Sequence, residues 1–330
     1  MGALLKVELT RLRWRRAVVL LLAAAVLVPA VVVGATAWGT RPLSEADLAS
    51  AESDFGGRFL RQEVRSCGRT PEFYGLEDVA AAELPEACRL AVVSSYVGRS
   101  PLSLSDSLEG GAMLVVAAVL VLLLVLLGTT FVGHDWNTGS MSNQLLFEAR
   151  RGRVWAAKAL AVGAVGLVVA LLVSLACWLA LLAIASSRDL SAADGVLLDG
   201  VEQCLRTGLV AAGAAFGGYA LTMLLRSTVA TLGVVFALTV LGGTLIGVLG
   251  GQETQRWQPQ LNVMAAVTNE VTYYDDSGLE PACLTGMARP RLDCDATQRI
   301  GAVQGGSYVG VVLLALGAAS VVSFRRRDVP

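Results

Sequence analysis

Long runs of apolar residues, each free of charged side chains, alternate with polar segments along the chain. A helix needs about 20 apolar residues to cross roughly 30 Å of hydrocarbon, so runs of this length predict membrane-spanning helices. The predicted spans are residues 17–38, 110–133, 159–187, 207–225, 227–251 and 300–324. The pattern therefore predicts an all-α membrane protein with six transmembrane helices.

The fourth and fifth spans come from one apolar block that only Arg226 interrupts. A single helix over this block would measure about 68 Å, far more than a bilayer requires. A lone arginine in mid-membrane would also cost roughly 2.5–3.5 kcal/mol or more. Two spans with a tight hairpin at Leu225, Arg226, Ser227 and Thr228 avoid both problems.

Composition agrees with a membrane protein. Apolar residues make up 55% and charged residues 16% of the chain, against about 25% charged residues in soluble domains. The first span is longer than the apolar core of a signal peptide and further spans follow it, which favours an uncleaved anchor over cleavage. Only Lys6 and Lys158 are lysines among 26 basic residues, a bias that hints at a bacterial genome. The expected location is a bacterial plasma (inner) membrane, with the chain passing through it several times.

Basic residues concentrate on one side of the predicted topology. With the N-terminus in the cytoplasm, the inside segments 1–16, 134–158, Arg226 and 325–330 hold 13 basic and 4 acidic residues. The much longer outside segments hold 13 basic and 23 acidic residues. The positive-inside rule therefore predicts that both termini are cytoplasmic.

Four cysteines fall in two predicted outside segments, Cys67 and Cys88 in 39–109 and Cys283 and Cys294 in 252–299. Disulfides persist in oxidising compartments, so the sequence predicts a disulfide-capable extracytoplasmic cap. Pairing within each segment is the hypothesis, although four cysteines allow three arrangements.

The connecting segments carry further predictions. Residues 1–16 form an amphipathic entry helix or a simple basic flank that sets topology. In the first outside segment, Ser44 caps a helix that extends to Val64, and prolines break the rest into short pieces. Residues 188–206 form an outer loop, and 252–299 is polar and irregular. Its Trp257, Tyr273 and Tyr274 are interpreted as residues at the membrane interface in preference to a ligand site. Gly213 and Gly217 make one of three G-x-x-x-G spacings, for which packing within the chain is favoured over a dimer face.

Several kinds of chemistry are missing from the sequence. No Walker A loop exists, because Val7 follows Lys6 and Ala159 follows Lys158, so the chain is no ATPase of that class. His134 is the single histidine, which excludes His-rich metal and catalytic clusters. No charged residue is assigned to the middle of a span, which disfavours a proton- or sodium-driven transporter.

The inside segment 134–158 is the most informative. Asn137 or Thr138 is a possible cap for a short helix over residues 140–149, with Met141, Leu145 and Leu146 on one apolar side. Arg150, Arg151 and Arg153 follow the predicted helix, where the helix dipole favours positive charge. Such a helix docks into a cytosolic partner or binds lipid headgroups, and the residues alone leave both open.

This segment resembles the corresponding loop of type-2 permeases of ATP-binding-cassette (ABC) transporters, especially actinobacterial members. In that family the loop after the second span has a characteristic order of motifs. It contains an acidic-aromatic pair, then Gly-Thr, then Leu-Leu, then a basic pair, and finally a lysine that enters the third span. The matching residues here are Asp135, Trp136, Gly139, Ser140, Leu145, Leu146, Arg150, Arg151 and Lys158. The basic entry helix, the turn at Arg226 and the ending at residues 324–329 are also similar to the family.

The sequence departs from the family pattern at four points. Asp135 replaces a common glutamate, Ser140 a common threonine, and Ala149 the usual proline before the basic pair. The long first outside segment also exceeds that of many relatives.

The resemblance implies a permease subunit of an exporter that is not catalytic alone. Two permeases, identical or different, would sit on two copies of a cytosolic ABC ATPase, which would bind the ATP and magnesium; this chain would hold no cofactor. The 137–150 helix would be the coupling element. The expected docking residues are Asp135, Trp136, Gly139, Met141, Leu145, Leu146, Arg150, Arg151 and Lys158.

Two other functions compete with this expectation. The long first outside segment suits a non-transporting sensor or mechanotransmission module that acts through its extracytoplasmic loops. An intramembrane enzyme has little support, because clusters of acid, base and nucleophile are missing. The expected partners are the ATPase, a second permease and the lipid bilayer, with no nucleic acid, and the sequence does not identify the substrate.

Overall fold

The computed structural model describes residues 1–55, 57–74, 76, 79–190, 195–250, 252–279, 283 and 294–327. Its helices are α1 (Gly2–Trp14), α2 (Arg16–Gly39), α3 (Glu45–Phe55), α4 (Gly57–Cys67), α5 (Leu84–Val97), α6 (Leu104–Glu109), α7 (Ala112–Asn137), α8 (Ser140–Phe147), α9 (Arg151–Ser186), α10 (Val196–Leu225), α11 (Thr228–Gly250), α12 (Pro259–Thr268) and α13 (Ala302–Arg326). Six helical segments in this part of the chain are long and apolar enough to span a membrane: α2, α6 with α7, α9, α10, α11 and α13.

Helix α10 lies at the centre of the bundle and packs against α7, α9 and α13. Small residues allow this close packing. A Cβ added to Gly218 would lie 2.4 Å from the carbonyl oxygen of Val125, and one added to Gly128 would lie 2.0 Å from that of Ala215. These two glycines therefore set the short distance between α7 and α10.

Helix α11 lies at the rim. Only 6% of its most apolar window is buried, against 50% for α10. The turn between these two helices is tight, as predicted: Arg226 ends α10 with a φ of 55° and α11 begins at Thr228. The interruption at Arg226 thus marks the point where the apolar block folds back on itself.

The two ends of the bundle differ in their connections. We name one end the basic face; it carries α1, the α7–α8–α9 connection and the end of α13. We name the other end the disulfide face; it carries both disulfides, Cys67–Cys88 and Cys283–Cys294, which is the pairing within segments expected from the sequence.

The first connection on the disulfide face is helical. Ser44 and Asp47 cap α3 reciprocally: Ser44 Oγ accepts from the Asp47 N–H at 3.2 Å, and Asp47 Oδ2 accepts from the Ser44 N–H at 2.9 Å. Within the predicted helix from Ser44 to Val64 the structure has α3 and α4, and residue 56 between them lies outside the described residues. The disulfide joins the end of α4 to α5. A small core of its own, including Leu60, Val92 and Val93, surrounds the disulfide.

The last connection is more regular than predicted. It contains α12 and a two-stranded antiparallel sheet, β1 (Glu270–Tyr274) paired with β2 (Thr297–Gly301). The expectation of an all-α chain with an irregular last loop is therefore wrong for this segment. Val271 and Ile300 face each other across the ribbon and pack on α12, which gives the two short strands a buried side.

Several helices extend past the predicted spans. Helix α10 begins at Val196, inside the expected outer loop, and α9 begins at Arg151 rather than Ala159. Polar residues such as Asp199 and Lys158 thus belong to helices whose apolar middles cross the bundle. Predictions that involve residues 191–194, 251, 284–293 and 328–330 lie outside the described residues.

Candidate functional site

Lys158 joins three helices on the basic face. Its Nζ donates to Glu8 Oε2 at 2.9 Å and to Asp135 Oδ2 at 2.6 Å. All three side chains are completely buried. One ammonium group at the start of α9 therefore binds a carboxylate of α1 and a carboxylate at the end of α7.

Arg15 adds a second cation at the junction of α1 and α2. It donates to Asp135 Oδ1 and to the carbonyl oxygen of Phe131. The ring of Phe131 lies 4.7 Å from Arg15 Cζ and 5.3 Å from Lys158 Nζ, within cation–π range. We name Glu8, Arg15, Asp135 and Lys158 the buried ion cluster; its two positive and two negative charges balance.

Gln144 connects helix α8 to this cluster. Its Nε2 donates to Glu8 Oε1 at 2.6 Å, and its Oε1 accepts from Arg11 Nη1 at 3.2 Å. On the same side of α8, Met141 is completely buried and Leu145 packs against the core of the bundle. The inner side of α8 is thus fixed to α1 by hydrogen bonds and to the bundle by apolar packing.

The outer side of α8 is exposed and apolar. Leu146 is 82% exposed and Phe147 is 94% exposed. We name these two residues the α8 tip. Arg150 and Arg153 follow it in the sequence and are exposed as well. Exposed aromatic and aliphatic side chains beside arginines have the composition of protein interfaces.

The prediction that Met141, Leu145 and Leu146 share one apolar side is wrong. Residues four apart lie on the same side of a helix, so Met141 and Leu145 both face the bundle. Leu146 is rotated by about 100° from Leu145 and faces outward. The helix is also shorter than predicted, since it ends at Phe147, and it begins after Gly139, whose φ is 69°.

Trp136 and Arg151, two other predicted docking residues, pack against the bundle instead of projecting from its surface. The ring of Trp136 packs edge-on against Phe324 at 6.2 Å, and the Arg226 guanidinium lies 4.8 Å from the same indole. Arg151 Nη1 donates to the carbonyl oxygen of Arg327 at 2.6 Å. These contacts attach the ends of α7 and α9 to α10 and α13.

The nine predicted docking residues therefore divide into three groups by exposure. The surface members are Gly139, Leu146 and Arg150, while Asp135, Met141 and Lys158 are buried and Trp136, Leu145 and Arg151 are half-buried. The structure brings Asp135 and Lys158 together, but as an internal ion pair.

Sequence reasoning missed four residues of this site: Glu8, Arg15, Gln144 and Phe147. Glu8 is the single acidic residue in the basic segment 1–16, and this charge reversal was a usable indication. Its pairing with Lys158 spans 150 residues, so no local period could reveal it. Phe147 follows the Leu-Leu pair directly and extends the exposed apolar surface.

The buried ion cluster is completely hydrogen-bonded on its acidic side. Each of the four carboxylate oxygens of Glu8 and Asp135 accepts a bond, from Gln144, Lys158 or Arg15. Buried charges persist only when they are paired in this way. Chemically, the arrangement acts as a link between α1, α7, α8 and α9, because α8 cannot move outward without breaking bonds to buried ions.

Within the described ranges, no group of three or more His, Cys, Asp or Glu side chains is arranged to hold a metal ion. No family model, no curated protein and no solved structure matches the chain. The fold itself defines a class: a multi-pass, predominantly helical membrane protein with two disulfides.

Proposed function

We propose that this chain is the membrane-spanning permease subunit of an ABC transporter, an exporter, and that a separate ATPase subunit drives it by docking on α8. The α8 tip carries this proposal. Leu146 and Phe147 are almost completely exposed on a helix whose other side is fixed to buried ions. Exposed apolar side chains of this size on a firmly held helix suit a protein partner.

The buried ion cluster would transmit a movement of α8 to the spans. A partner that moves α8 pulls on Gln144, which holds Glu8, which in turn holds Lys158 of the α9 span. Short hydrogen bonds to buried charged groups are stiff and strong compared with surface contacts. A displacement at the α8 tip would therefore reach α1 and the spans rather than dissipate in a loop.

The proposal includes an orientation and partners. The basic face would lie in the cytoplasm and the disulfide face outside a bacterial plasma membrane, with both termini inside, consistent with the charge bias and with the disulfides. Two ATPase copies would bind ATP and magnesium, and a second permease, identical or different, would complete the path.

A pull-down tests the docking proposal. The tagged chain would be purified in mild detergent from its native membrane and assayed for ATPase activity and co-purifying proteins. The wild type should retain an ATPase, and L146D together with F147D should lose it.

The matched control is Phe73→Asp, because Phe73 is 85% exposed but lies on the disulfide face. It should retain the ATPase. The absence of an ATPase from the wild type, or equal retention by the L146D/F147D variant, would refute docking on α8.

A second candidate is a membrane sensor or mechanotransmission module that does not transport. The cap formed by α3, α4 and α5 favours it, because this cap has its own core and disulfide. Inverted vesicles that contain the chain and its ATPase separate the two functions. ATP-dependent uptake of a substrate supports the exporter, whereas ATP hydrolysis without uptake of any tested cargo supports the sensor.

A further inference from the structure

A polar cavity of about 560 Å³ opens on the disulfide face between α6, the start of α10, α12 and β1. We name it the head chamber. Among the described residues, its charged lining consists of four carboxylates and one guanidinium, those of Glu109, Asp199, Glu202, Glu270 and Arg206. The chamber is therefore acidic overall, and an acidic chamber favours a cation.

Arg206, the one cation among the described lining residues, is already engaged. Arg206 Nη2 lies 2.5 Å from Glu202 Oε1, one helical turn away. Arg299, from the neighbouring strand, pairs with Glu270 at 3.2 Å. Even with both arginines included, the four carboxylates leave a net negative charge, with Glu109 and Asp199 in excess.

An apolar groove of about 450 Å³ adjoins the head chamber at Arg206, which lines both cavities. We name it the lateral groove; it runs between α10 and α13 and opens to the side of the bundle. Leu209 and Val303 on its walls remain 65% and 88% exposed. In a bilayer this opening would face lipid chains.

Glycines shape both ends of the lateral groove. Gly306 lines it, and a Cβ there would contact nothing within 4 Å, so the groove is open at that level. At the lower end, Leu313 lies so close that a Cβ on Gly213 would be 2.7 Å from its Cδ1 and one on Gly217 would be 3.1 Å from its Cδ2. The groove is thus filled toward Leu313, and its other end meets the acidic head chamber at Arg206.

We propose that the head chamber and the lateral groove together bind a cationic amphiphile, with its ammonium head among the carboxylates and its alkyl chain in the groove. The order of the two cavities matches such a molecule at a membrane surface, where the head stays in the polar layer and the chain enters the hydrocarbon. This proposal goes beyond ATP-driven transport and does not depend on an ATPase.

Binding of dodecyltrimethylammonium tests the proposal. The full chain would be placed in nanodiscs of neutral phosphatidylcholine, and binding of the radiolabelled probe would be measured above empty nanodiscs. We expect saturable binding that tetramethylammonium and dodecyl phosphate displace much more weakly than unlabelled probe. Binding that does not exceed empty nanodiscs, or equal displacement by dodecyl phosphate, would overturn it.

Charge variants test the head chamber. Glu109→Gln and Asp199→Asn leave the Glu202–Arg206 pair in place, and each should weaken binding about fivefold. Glu72→Gln, an exposed carboxylate elsewhere on the disulfide face, should leave binding unchanged. Unchanged affinity in both chamber variants would refute the acidic head site.

A variant that fills the lateral groove with a larger side chain tests whether the alkyl chain binds there. Gly306→Leu should reduce the affinity for the probe at least about tenfold, because the leucine occupies the space of the alkyl chain. Gly34→Leu is the matched control, since a Cβ at Gly34 on α2 also contacts nothing within 4 Å. Both variants should elute as folded protein, and equal binding by both would overturn the groove assignment.

Discussion

On the basic face, three buried charges and the half-buried Arg15 join the ends of the spans, whereas on the disulfide face two covalent bonds close the long connections. The two kinds of link differ in whether they can break and form again. Ion pairs can break and re-form in another geometry, but a disulfide is a covalent bond that persists in an oxidising compartment. The basic face therefore suits a connection that transmits movement, and the disulfide face suits a cap that keeps its shape.

The buried ion cluster and the disulfides also stabilise the fold in different ways. A buried ion costs desolvation energy and is tolerated only while its partners remain in place. A disulfide acts mainly on the unfolded chain, by reducing its conformational entropy. Removing one charge should therefore damage the bundle more than removing one disulfide damages the cap.

The largest decrease in the free energy of unfolding is expected for Lys158→Met. This change leaves the carboxylates of Glu8 and Asp135 buried without their shared ammonium group. Removing one partner of a buried ion pair typically costs about 3–5 kcal/mol. Chemical unfolding of the purified chain in mild detergent should show a decrease of this size in the free energy of unfolding.

Lys6→Met is the matched control, because Lys6 is the other lysine of the chain and is exposed on the same α1 helix that carries Glu8. Its free energy of unfolding should stay within about 0.5 kcal/mol of the wild type. If the two lysine variants proved equally stable, the buried ion cluster would contribute nothing to the stability of the fold.

The next effect is expected for Cys67→Ser combined with Cys88→Ser. The disulfide joins cysteines separated by 21 residues, and a loop of this length corresponds to roughly 3 kcal/mol of stabilisation. The loss should be local, since the cap has its own core. Hydrogen exchange should therefore accelerate in α4 and α5 and stay unchanged in α9 and α10; acceleration throughout would contradict a separate cap.

A smaller effect is expected for Gln144→Ala. It removes the amide that bonds Glu8 Oε1, and a hydrogen bond to a charged group is worth about 1.5–3 kcal/mol. Helix α8 should loosen while the spans remain folded, so exchange should accelerate chiefly over residues 140–147. Asn143→Ala, an exposed amide on the same helix, is the control that should change nothing.

The smallest loss of stability is expected for the ion pair of Asp47 and Arg99 in the cap. Hydrogen bonds from Arg99 hold the pKa of Asp47 well below its usual range, together with bonds from Ser44. Because the folded pKa is depressed, the pair stabilises the cap above about pH 4 and this contribution is lost as the pH falls below that value. As the pH falls from 5 to 2, protection of the cap from pepsin should decrease more in the wild type than in Arg99→Ala, in which only the Ser44 bonds remain.

Much of the fold was predictable because its causes are local in the sequence. Apolar run length predicts a span, and the charge at Arg226 places a turn where the structure has it. The reciprocal cap at Ser44 is a local pattern as well. Such features depend on neighbouring residues, which a sequence displays directly.

The candidate site depends on contacts between distant segments. Glu8 meets Lys158 across 150 residues, and the facing of α8 depends on which side Gln144 turns toward Glu8. The β1–β2 ribbon was missed for a similar reason, since each strand has five residues and its partner lies beyond a long insertion. Sequence periodicity does not specify such pairings.

The measurement that tests the central claim most directly is photo-crosslinking from position 147 in intact native membranes. A photoreactive amino acid would replace Phe147 in one variant and Phe73 in another, since both side chains are highly exposed but on opposite faces. The account predicts a nucleotide-binding protein crosslinked at position 147 and not at position 73. Crosslinks at position 147 to lipid alone would contradict it and show that the α8 tip rests on the membrane surface.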